Sequence, residues 1–176
     1  TLDYIKQQNT LLAGESALYV SDSIKLAQIP DSLYFFVRRN RSTGNQNVSD
    51  SFCRIDNVQI LWNNQSGLLG TATPDQLFEM CKRNGSELSY QQFSKYKGSV
   101  LKLKFGENIG LSEAEAIGVQ GQFTIQLQIR YTNVSSETIV SPEAMLLFNL
   151  VGSMQIAENM ARASLGNLTR DIVLQT

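Results

Sequence analysis

The chain has 176 residues, of which 42% are hydrophobic and 18% are charged, and this length allows one hydrophobic core without disulfides or metals. Its 15 basic and 16 acidic residues give a formal net charge of −1, which excludes a global field that attracts nucleic acid or an anionic membrane. No apolar run approaches the ~20 residues of a membrane span, so we expect neither direct nucleic-acid binding nor membrane insertion.

The first third of the chain predicts three β-strands. Residues 17–26 and 32–37 are short β-rich runs. Pro30 marks a turn between them, because proline fixes φ and has no backbone N–H to donate to a ladder. Residues 52–62 form the third run, in which the alternation of apolar side chains slips by one residue near Asn57. Such a slip indicates a β-bulge.

Two short helical segments are predicted next. Thr73 has the features of an N-cap, Pro74 suits the first helical position, and Gln76 completes a capping box. Gly85 marks the end of this helix. Its inward apolar stripe is predicted to be Leu77, Phe78 and Cys81. A second capping-box pattern predicts one further turn, at Ser89 and Gln92.

The remaining strands lie in the second half of the chain. Residues 99–105 alternate apolar side chains with Lys102 and Lys104, and outward lysines indicate a solvated or edge-facing side. Residues 121–132 alternate most regularly, which predicts a half-buried antiparallel strand. The long apolar run at residues 144–156 predicts one central strand covered on both faces.

The order of these elements predicts an all-β fold. We expect an antiparallel, eight-stranded jelly-roll β-sandwich with one or two short helices in its connecting loops. No linker justifies a second domain, so residues 1–176 are predicted to form a single domain. Residues 157–176 lack a sustained period and are predicted to be a tail that packs on this domain or on a neighbour.

Little in the sequence points to catalysis. The chain contains no histidine, which removes the usual general base and most zinc and iron sites. The nearest carboxylate pairs, Glu113 with Glu115 and Asp50 with Asp56, have no surrounding motif and are expected to be solvated charges. We therefore predict a protein that is not an enzyme, with no catalytic residues, no metal site and no cofactor.

Three groups of side chains have both a structural and a functional interpretation. Cys53 and Cys81 are expected to be reduced core thiols. Four aromatic residues would either form a sugar-binding platform or pack in the core or an interface: Trp62, Tyr90, Phe93 and Tyr96. A local arginine cluster would either bind phosphate, or be solvated or paired with a neighbouring subunit: Arg38, Arg39 and Arg41.

Several segments resemble double jelly-roll major capsid proteins of virophages, Polinton-like viruses and the adenovirus-hexon lineage. The segment 29–38 reads IPDSLYFFVR and is similar to a stretch found in proteins of that family. Further short segments that resemble the family follow in the same order, at residues 55–60, 63–69, 76–85, 99–106, 109–111, 121–131 and 166–174. The resemblance covers roughly residues 14–174, which is nearly the whole chain.

The resemblance implies a structural role in a virion that is assembled inside the host cell. The chain would be the C-terminal jelly roll of a two-roll subunit that trimerises into pseudo-hexagonal capsomers of an icosahedral shell. Its partners would be other copies of the capsid protein, the N-terminal jelly roll, and penton and minor capsid proteins. Only one roll is present, so trimerisation by this chain alone is left open.

Three segments are candidates for contacts in such a shell. The polar stretch 40–51 predicts an exposed loop, and residues 40–51 and 63–73 are candidates for outward loops or inter-subunit contacts. Leu68 and Leu69 are the apolar residues of the second candidate, and the tail from residue 157 is a candidate for contacts at the base. The alternative function is a stand-alone carbohydrate- or receptor-binding β-sandwich that uses Trp62 or Tyr96 on an open face.

Overall fold

The computed structural model describes residues 2–6, 10–43, 52–157 and 160–165. These residues form thirteen β-strands, one α-helix and two short helical turns. The strands are β1 (Leu2–Lys6), β2 (Thr10–Leu11), β3 (Ser16–Val20), β4 (Ile24–Gln28), β5 (Ser32–Arg38), β6 (Arg54–Trp62), β7 (Gln65–Leu68), β8 (Leu101–Lys104), β9 (Gln120–Thr132), β10 (Ile139–Val140), β11 (Glu143–Asn149), β12 (Gly152–Ala157) and β13 (Met160–Leu165). Helix α1 spans Pro74–Arg83, a π-type turn spans Gln92–Tyr96, and a 3-10 turn spans Arg41–Thr43.

Two antiparallel sheets form the layers of a sandwich. The four-stranded sheet has the order β1-β11-β5-β8, and the five-stranded sheet has β3 and β4 beside β9, followed by β6 and β7. Two separate pairs, β2 with β10 and β12 with β13, are also antiparallel. The predicted all-β antiparallel class is confirmed. The described residues contain thirteen strands, however, where the sequence predicted eight.

A short break divides the run predicted at residues 17–26 into β3 and β4. Both strands pair with β9, and Ser21 lies in the break. The Ser21 backbone N–H donates to the Leu127 carbonyl, while the Leu127 N–H donates to Ser21 Oγ at 2.8 Å. The serine hydroxyl thus takes the place of a backbone acceptor, and the chain stays attached to β9 although the regular ladder stops.

The hydrophobic core lies between the two sheets. Tyr19 of β3 stacks on Phe35 of β5 with ring centroids 5.9 Å apart. Trp62 at the end of β6 packs against Phe105 at 4.9 Å and against Phe123 at 5.7 Å. The apolar side of β9 is buried as its alternation predicts: Ile125, Leu127, Ile129 and Tyr131. The strands of both sheets therefore share one continuous core.

Two local predictions about strands are confirmed. The register between β6 and β9 shifts between Ile55 and Asn57, which is the predicted bulge. Strand β8 lies at an edge of the four-stranded sheet, and Leu101 and Leu103 are buried while Lys102 is half-buried. The lysine-bearing strand is therefore an edge strand, where a charged side chain discourages unwanted strand pairing.

The prediction of a single strand over residues 144–156 is wrong. Strand β11 ends at Asn149, and β12 begins at Gly152 and pairs with β13. The chain leaves the sheet at Val151, whose carbonyl accepts a hydrogen bond from Gln28 Nε2. Only β11 is central, between β1 and β5, whereas Ile156 of β12 is 77% exposed. The continuous apolar run at residues 144–156 therefore contains two strands that lie in different environments.

Helix α1 begins and ends as its capping residues predict. Thr73 accepts a hydrogen bond from the Gln76 backbone, and the Gln76 side chain accepts one from the Thr73 N–H. Gly85 follows the helix with a φ of +91°, a conformation that favours glycine. The predicted inward stripe is buried: Leu77, Phe78 and Cys81. The further turn has the predicted capping box at Ser89 and Gln92.

Removing the N-cap should destabilise α1. We expect Thr73→Ala to lower the free energy of unfolding by about 1 kcal/mol, because the N-terminal N–H groups of the helix lose their side-chain acceptor. Chemical denaturation followed by far-UV circular dichroism measures this loss. Thr71→Ala, an exposed position in the preceding turn, is the control and should change stability by less than about 0.5 kcal/mol. Equal losses in the two variants would contradict a capping role.

Candidate interaction surface

Two of the four carboxylates that the sequence offered for catalysis, Glu115 and Asp56, have structural partners, whereas Glu113 is exposed. Glu115 Oε1 accepts a hydrogen bond from Asn63 Nδ2 at 2.8 Å, and its Oε2 accepts one from the Ser112 N–H at 3.0 Å. Asp56 forms an ion pair with Arg54 at 2.6 Å and accepts a hydrogen bond from the Thr132 hydroxyl. Its proposed companion Asp50 lies outside the described residues. These carboxylates hold turns and strands in place.

The arginine cluster is largely used within the chain. Arg38 pairs with Glu143 at 3.0 Å. Arg39 pairs with Glu137 at 3.1 Å and also donates to the Thr138 carbonyl at 2.8 Å. Arg41 is the exposed member. Because two of the three guanidinium groups are tied to carboxylates of this chain, the cluster does not form a phosphate site.

The aromatic residues divide between the core and the surface. Trp62 and Phe93 are fully buried, which agrees with core packing and removes Trp62 as an open sugar-stacking face. Tyr90 is 43% exposed and contacts Phe78 edge-to-face at 5.3 Å. Tyr96 is 77% exposed. Among the four aromatic residues that the sequence singled out, Tyr96 therefore offers the most exposed ring.

Both cysteines are free thiols in the core, as predicted. Burial, with a smaller contribution from the Asp56 charge, raises the pKa of Cys53 from 9.0 to about 12. Burial raises the pKa of Cys81 from 9.0 to about 11. The thiolate is the reactive form of cysteine, so neither thiol has the ionisation of a redox or nucleophilic site.

These raised pKa values predict how the thiols react. At pH 8 we expect the folded protein to resist maleimide, and the urea-unfolded protein to react at both cysteines, because unfolding restores access and an ordinary pKa. A raised pKa in the folded state stabilises the fold fully below pH 9, and this contribution is lost as the pH rises from 9 toward 12. Mass spectrometry of the labelled protein checks the first expectation, and labelling of the folded protein at pH 8 would contradict it.

No metal site accompanies these groups. Across the described residues, no cluster of three or more His, Cys, Asp or Glu side chains could hold a metal ion. In the same part of the chain, no helix is long and apolar enough to span a bilayer. The outside of the five-stranded sheet carries a set of exposed and partly exposed side chains.

We call this set the outer five-strand face. Alternate residues of each strand point away from the core. Three strands of the sheet supply most of the face. Its members are Leu18 and Val20 of β3, Arg54, Asp56, Asn57, Gln59 and Leu61 of β6, Ser66 of β7, and Gln126, Gln128 and Arg130 of β9. The face combines exposed aliphatic side chains with a row of amides.

The strand registers align this face in rows. Leu18 pairs with Arg130, and Val20 pairs with Gln128. On the other side of β9, Gln59 pairs with Gln128, and Leu61 pairs with Gln126. Two shallow depressions of about 460 and 220 Å³ lie between these side chains. The surface is broad and shallow, and it has no deep cleft.

The aliphatic residues of this face were not predicted from the sequence. Residues 17–20 were assigned to a strand, yet its two exposed members, Leu18 and Val20, were not singled out. The signal is present in the sequence, because residues 17–20 are apolar on both faces of the strand. A strand that is apolar on both faces is typical of one covered on both sides. Leu61, between Ile60 and Trp62, gives the same signal in β6.

Two segments were predicted as outward loops or inter-subunit contacts, 40–51 and 63–73, and their first described residues lie at opposite ends of the sandwich. Residues 41–43 follow β5 at the end where β6 begins, while Asn63 and Asn64 form the turn after β6. Strand β6 has nine residues, which span about 30 Å. Residues 44–51 lie outside the described residues. Residues 41–43 therefore lie apart from the Asn63–Asn64 turn, and residues 65–68 are strand β7 and not loop.

The chain enters the β12–β13 hairpin, which contains the start of the predicted tail at residue 157, at the same end as the turn at Asn63. Strand β11 delivers the chain to Val151, whose carbonyl is bonded to Gln28 at the end of β4. Gln28 in turn pairs with Gln120 at the start of β9, and Asn63 donates its N–H to Thr124 of the same strand. Residues 152–157 and 160–165 then form the β12–β13 hairpin. Residues 166–176 lie outside the described residues.

Comparisons with known proteins give a consistent result. A family model described as the major capsid protein V20 C-terminal domain matches residues 3–97 and 94–152. The putative capsid protein V20 of Sputnik virophage is 29% identical over 190 residues, which cover 95% of this chain and 32% of that protein. This chain thus spans about a third of the length of that relative.

Two solved structures are similar in fold. The cryo-EM structure of Sputnik virophage contains a chain with a TM-score of 0.90 and 27% identity, and the match covers 99% of this chain and 39% of that one. The crystal structure of the mavirus major capsid protein matches with a TM-score of 0.83 and 14% identity, over 100% of this chain and 42% of that one. The second match shows the fold alone.

Proposed function

Since the chain belongs to the family of major capsid protein V20 C-terminal domains, we propose that it is the C-terminal jelly roll of a two-roll shell subunit. Domains of this family are structural parts of a virion capsid and not enzymes, as the sequence predicted. In the proposal, residues 1–176 are one roll, and three subunits form a pseudo-hexagonal capsomer of an icosahedral shell.

One observation carries this proposal. The described residues form a two-layered sandwich with the sheet orders β1-β11-β5-β8 and β3/β4-β9-β6-β7, and the structural match to a Sputnik virophage chain covers 99% of this chain. A single core with aromatic contacts between the sheets makes the domain stiff. Stiffness and shape are what a shell subunit requires, because it acts through geometry and makes no chemical change.

The proposed partners follow from the same premise. Other copies of the capsid protein would surround the roll, and its N-terminal jelly roll would complete the subunit. We also propose penton and minor capsid proteins as further partners. The formal net charge of −1 supports a protein environment over direct contact with nucleic acid.

The two ends of the sandwich are proposed to have different roles. The segment 40–51 begins at the end of the sandwich that carries residues 41–43, and we propose that this segment faces outward. The opposite end carries the Asn63–Asn64 turn and the β12–β13 hairpin. The segment from residue 157 is proposed to make contacts at the base, and the turn at Asn63 belongs with it there.

Assembly of the complete capsid polypeptide tests this function. Light scattering of the purified protein should give the mass of a trimer, and negative-stain images of the same peak should show pseudo-hexagonal outlines. Tyr96→Ala serves as the control for the alternative of a sugar-binding sandwich, and it should leave trimers intact. A protein that stays monomeric, with saccharide binding that depends on Tyr96, would overturn the capsomer proposal.

A further inference from the structure

The outer five-strand face has the dimensions of a protein interface. Strand β6 contributes nine residues, or about 30 Å, and four strand widths at about 4.8 Å each add about 20 Å. The resulting area is roughly 600 Å², close to the roughly 800 Å² that each partner contributes to a standard interface. One sheet face of this roll is thus large enough to hold a protein partner.

The composition of the face is that of a surface that becomes covered. Leu18 is 50%, Val20 54% and Leu61 37% exposed, and such aliphatic groups gain free energy when water is removed from them. Gln59 and Gln128 lie between them. An amide both donates and accepts hydrogen bonds, so this polar row can be satisfied by many opposing surfaces. The face therefore combines apolar contacts with adaptable polar ones.

Charge and shape exclude other classes of partner. Arg54 is paired with Asp56, which leaves two cations on the outer side of this sheet without an ion pair among the described residues, Arg130 and, on β4, Lys25. A nucleic acid or an anionic membrane requires several such cations. The depressions are shallow, whereas small ligands bind in clefts that bury most of their surface. A protein surface of low charge is the partner that fits.

We infer that the outer five-strand face is the surface on which the N-terminal jelly roll of an adjacent subunit of the same capsomer docks. This inference rests on the proposed function, in which the roll that this sequence does not contain packs beside this one. The identity of the partner is inferred from coverage, because this chain covers only 39% of the matching Sputnik virophage chain. In a ring of rolls, each roll must present a broad side to its neighbour.

Charge substitutions on this face test the inference in the complete capsid polypeptide. The double variant Val20→Lys and Leu61→Lys places two unpaired cations in the contact, while both side chains point away from the core. We expect at least a tenfold loss of trimer relative to monomer by light scattering. The matched control is Val140→Lys, which changes a valine that is 46% exposed outside this face and should leave the trimer yield unchanged.

A labelling experiment covers the case in which the lysine variant does not fold. Because Cys53 and Cys81 are buried, Gln128→Cys introduces the one accessible thiol of the described residues. In assembled capsomers we expect this thiol to react with a bulky maleimide at least tenfold more slowly than in capsomers dissociated by mild chaotrope. Val140→Cys should react at the same rate in both states.

The outcomes separate the inference from the proposed function. If the wild-type polypeptide forms trimers and the lysine variant forms them equally well, the face is not the contact and only this inference fails. Rapid labelling of Cys at position 128 in intact capsomers has the same meaning. If the wild-type polypeptide forms no trimer, the proposed function itself fails. Loss of trimers together with slow labelling would support both.

Discussion

Replacing Trp62 with alanine is expected to lower the free energy of unfolding by about 3–5 kcal/mol, the range found for large aromatic side chains removed from cores. Trp62 has no solvent exposure and lies between Phe105 and Phe123, with centroid distances of 4.9 and 5.7 Å. The variant therefore loses both ring contacts and leaves a cavity that a β-sandwich cannot close without moving a strand. Urea denaturation followed by circular dichroism measures the effect.

The control for this prediction is Trp62→Phe. The indole Nε1 is buried and donates to no acceptor in the structure, so phenylalanine keeps aromatic contacts and removes an unsatisfied donor. We expect this variant to lose less than half of the stability that alanine costs. If phenylalanine destabilised the protein as much as alanine does, the two ring contacts would not be the source of the stability.

The second large effect is expected at Gly98, which lies between the π-type turn and β8. Its φ is +86°, and a Cβ added there would lie 2.5 Å from the carbonyl carbon of Phe52 and 2.6 Å from the Phe52 Cβ. Backbone atoms cannot rotate away as a side chain does. We expect Gly98→Ala to cost about 2–5 kcal/mol, which combines the left-handed conformation with forced displacement of a neighbouring segment.

Gly14→Ala provides a matched control for Gly98→Ala. Gly14 also has a positive φ, +78°, but an added Cβ would meet no atom within 4 Å. This control should therefore cost only about 1–2 kcal/mol, the conformational part alone. Thermal unfolding of both variants under one set of conditions makes the comparison. Equal losses would show that close approach to Phe52 contributes nothing.

Features with a strictly local cause were predictable from the sequence. The caps of α1 at Thr73 and Gln76 were recognised because a capping box satisfies backbone groups within one turn. The bulge at Asn57 and the buried side of β9 followed from the period of two that a strand imposes on its side chains. The all-β class and the absence of a histidine-based site needed no more than the order and the types of residues.

Features that depend on distant partners were not predictable in this way. The run at residues 144–156 is continuous in hydrophobicity, yet it divides where Gln28, far away in sequence, binds the Val151 carbonyl. Ser21 interrupts a strand because its hydroxyl meets the Leu127 N–H across the sheet. Neither event leaves a local sign, because a hydrogen bond between strands depends on which strand lies alongside.

The order and types of residues were enough to predict the class of the fold, the capped helix and the reduced core thiols, and the resemblance to capsid proteins indicated the family. Tertiary contacts separate residues 41–43 from the Asn63–Asn64 turn, and they place Leu18, Val20 and Leu61 on one exposed face. Hydrophobicity along the chain shows which residues avoid water, but strand order and register decide which of them become neighbours. The outer five-strand face consists of residues from different strands, so it exists only once the sheet is assembled.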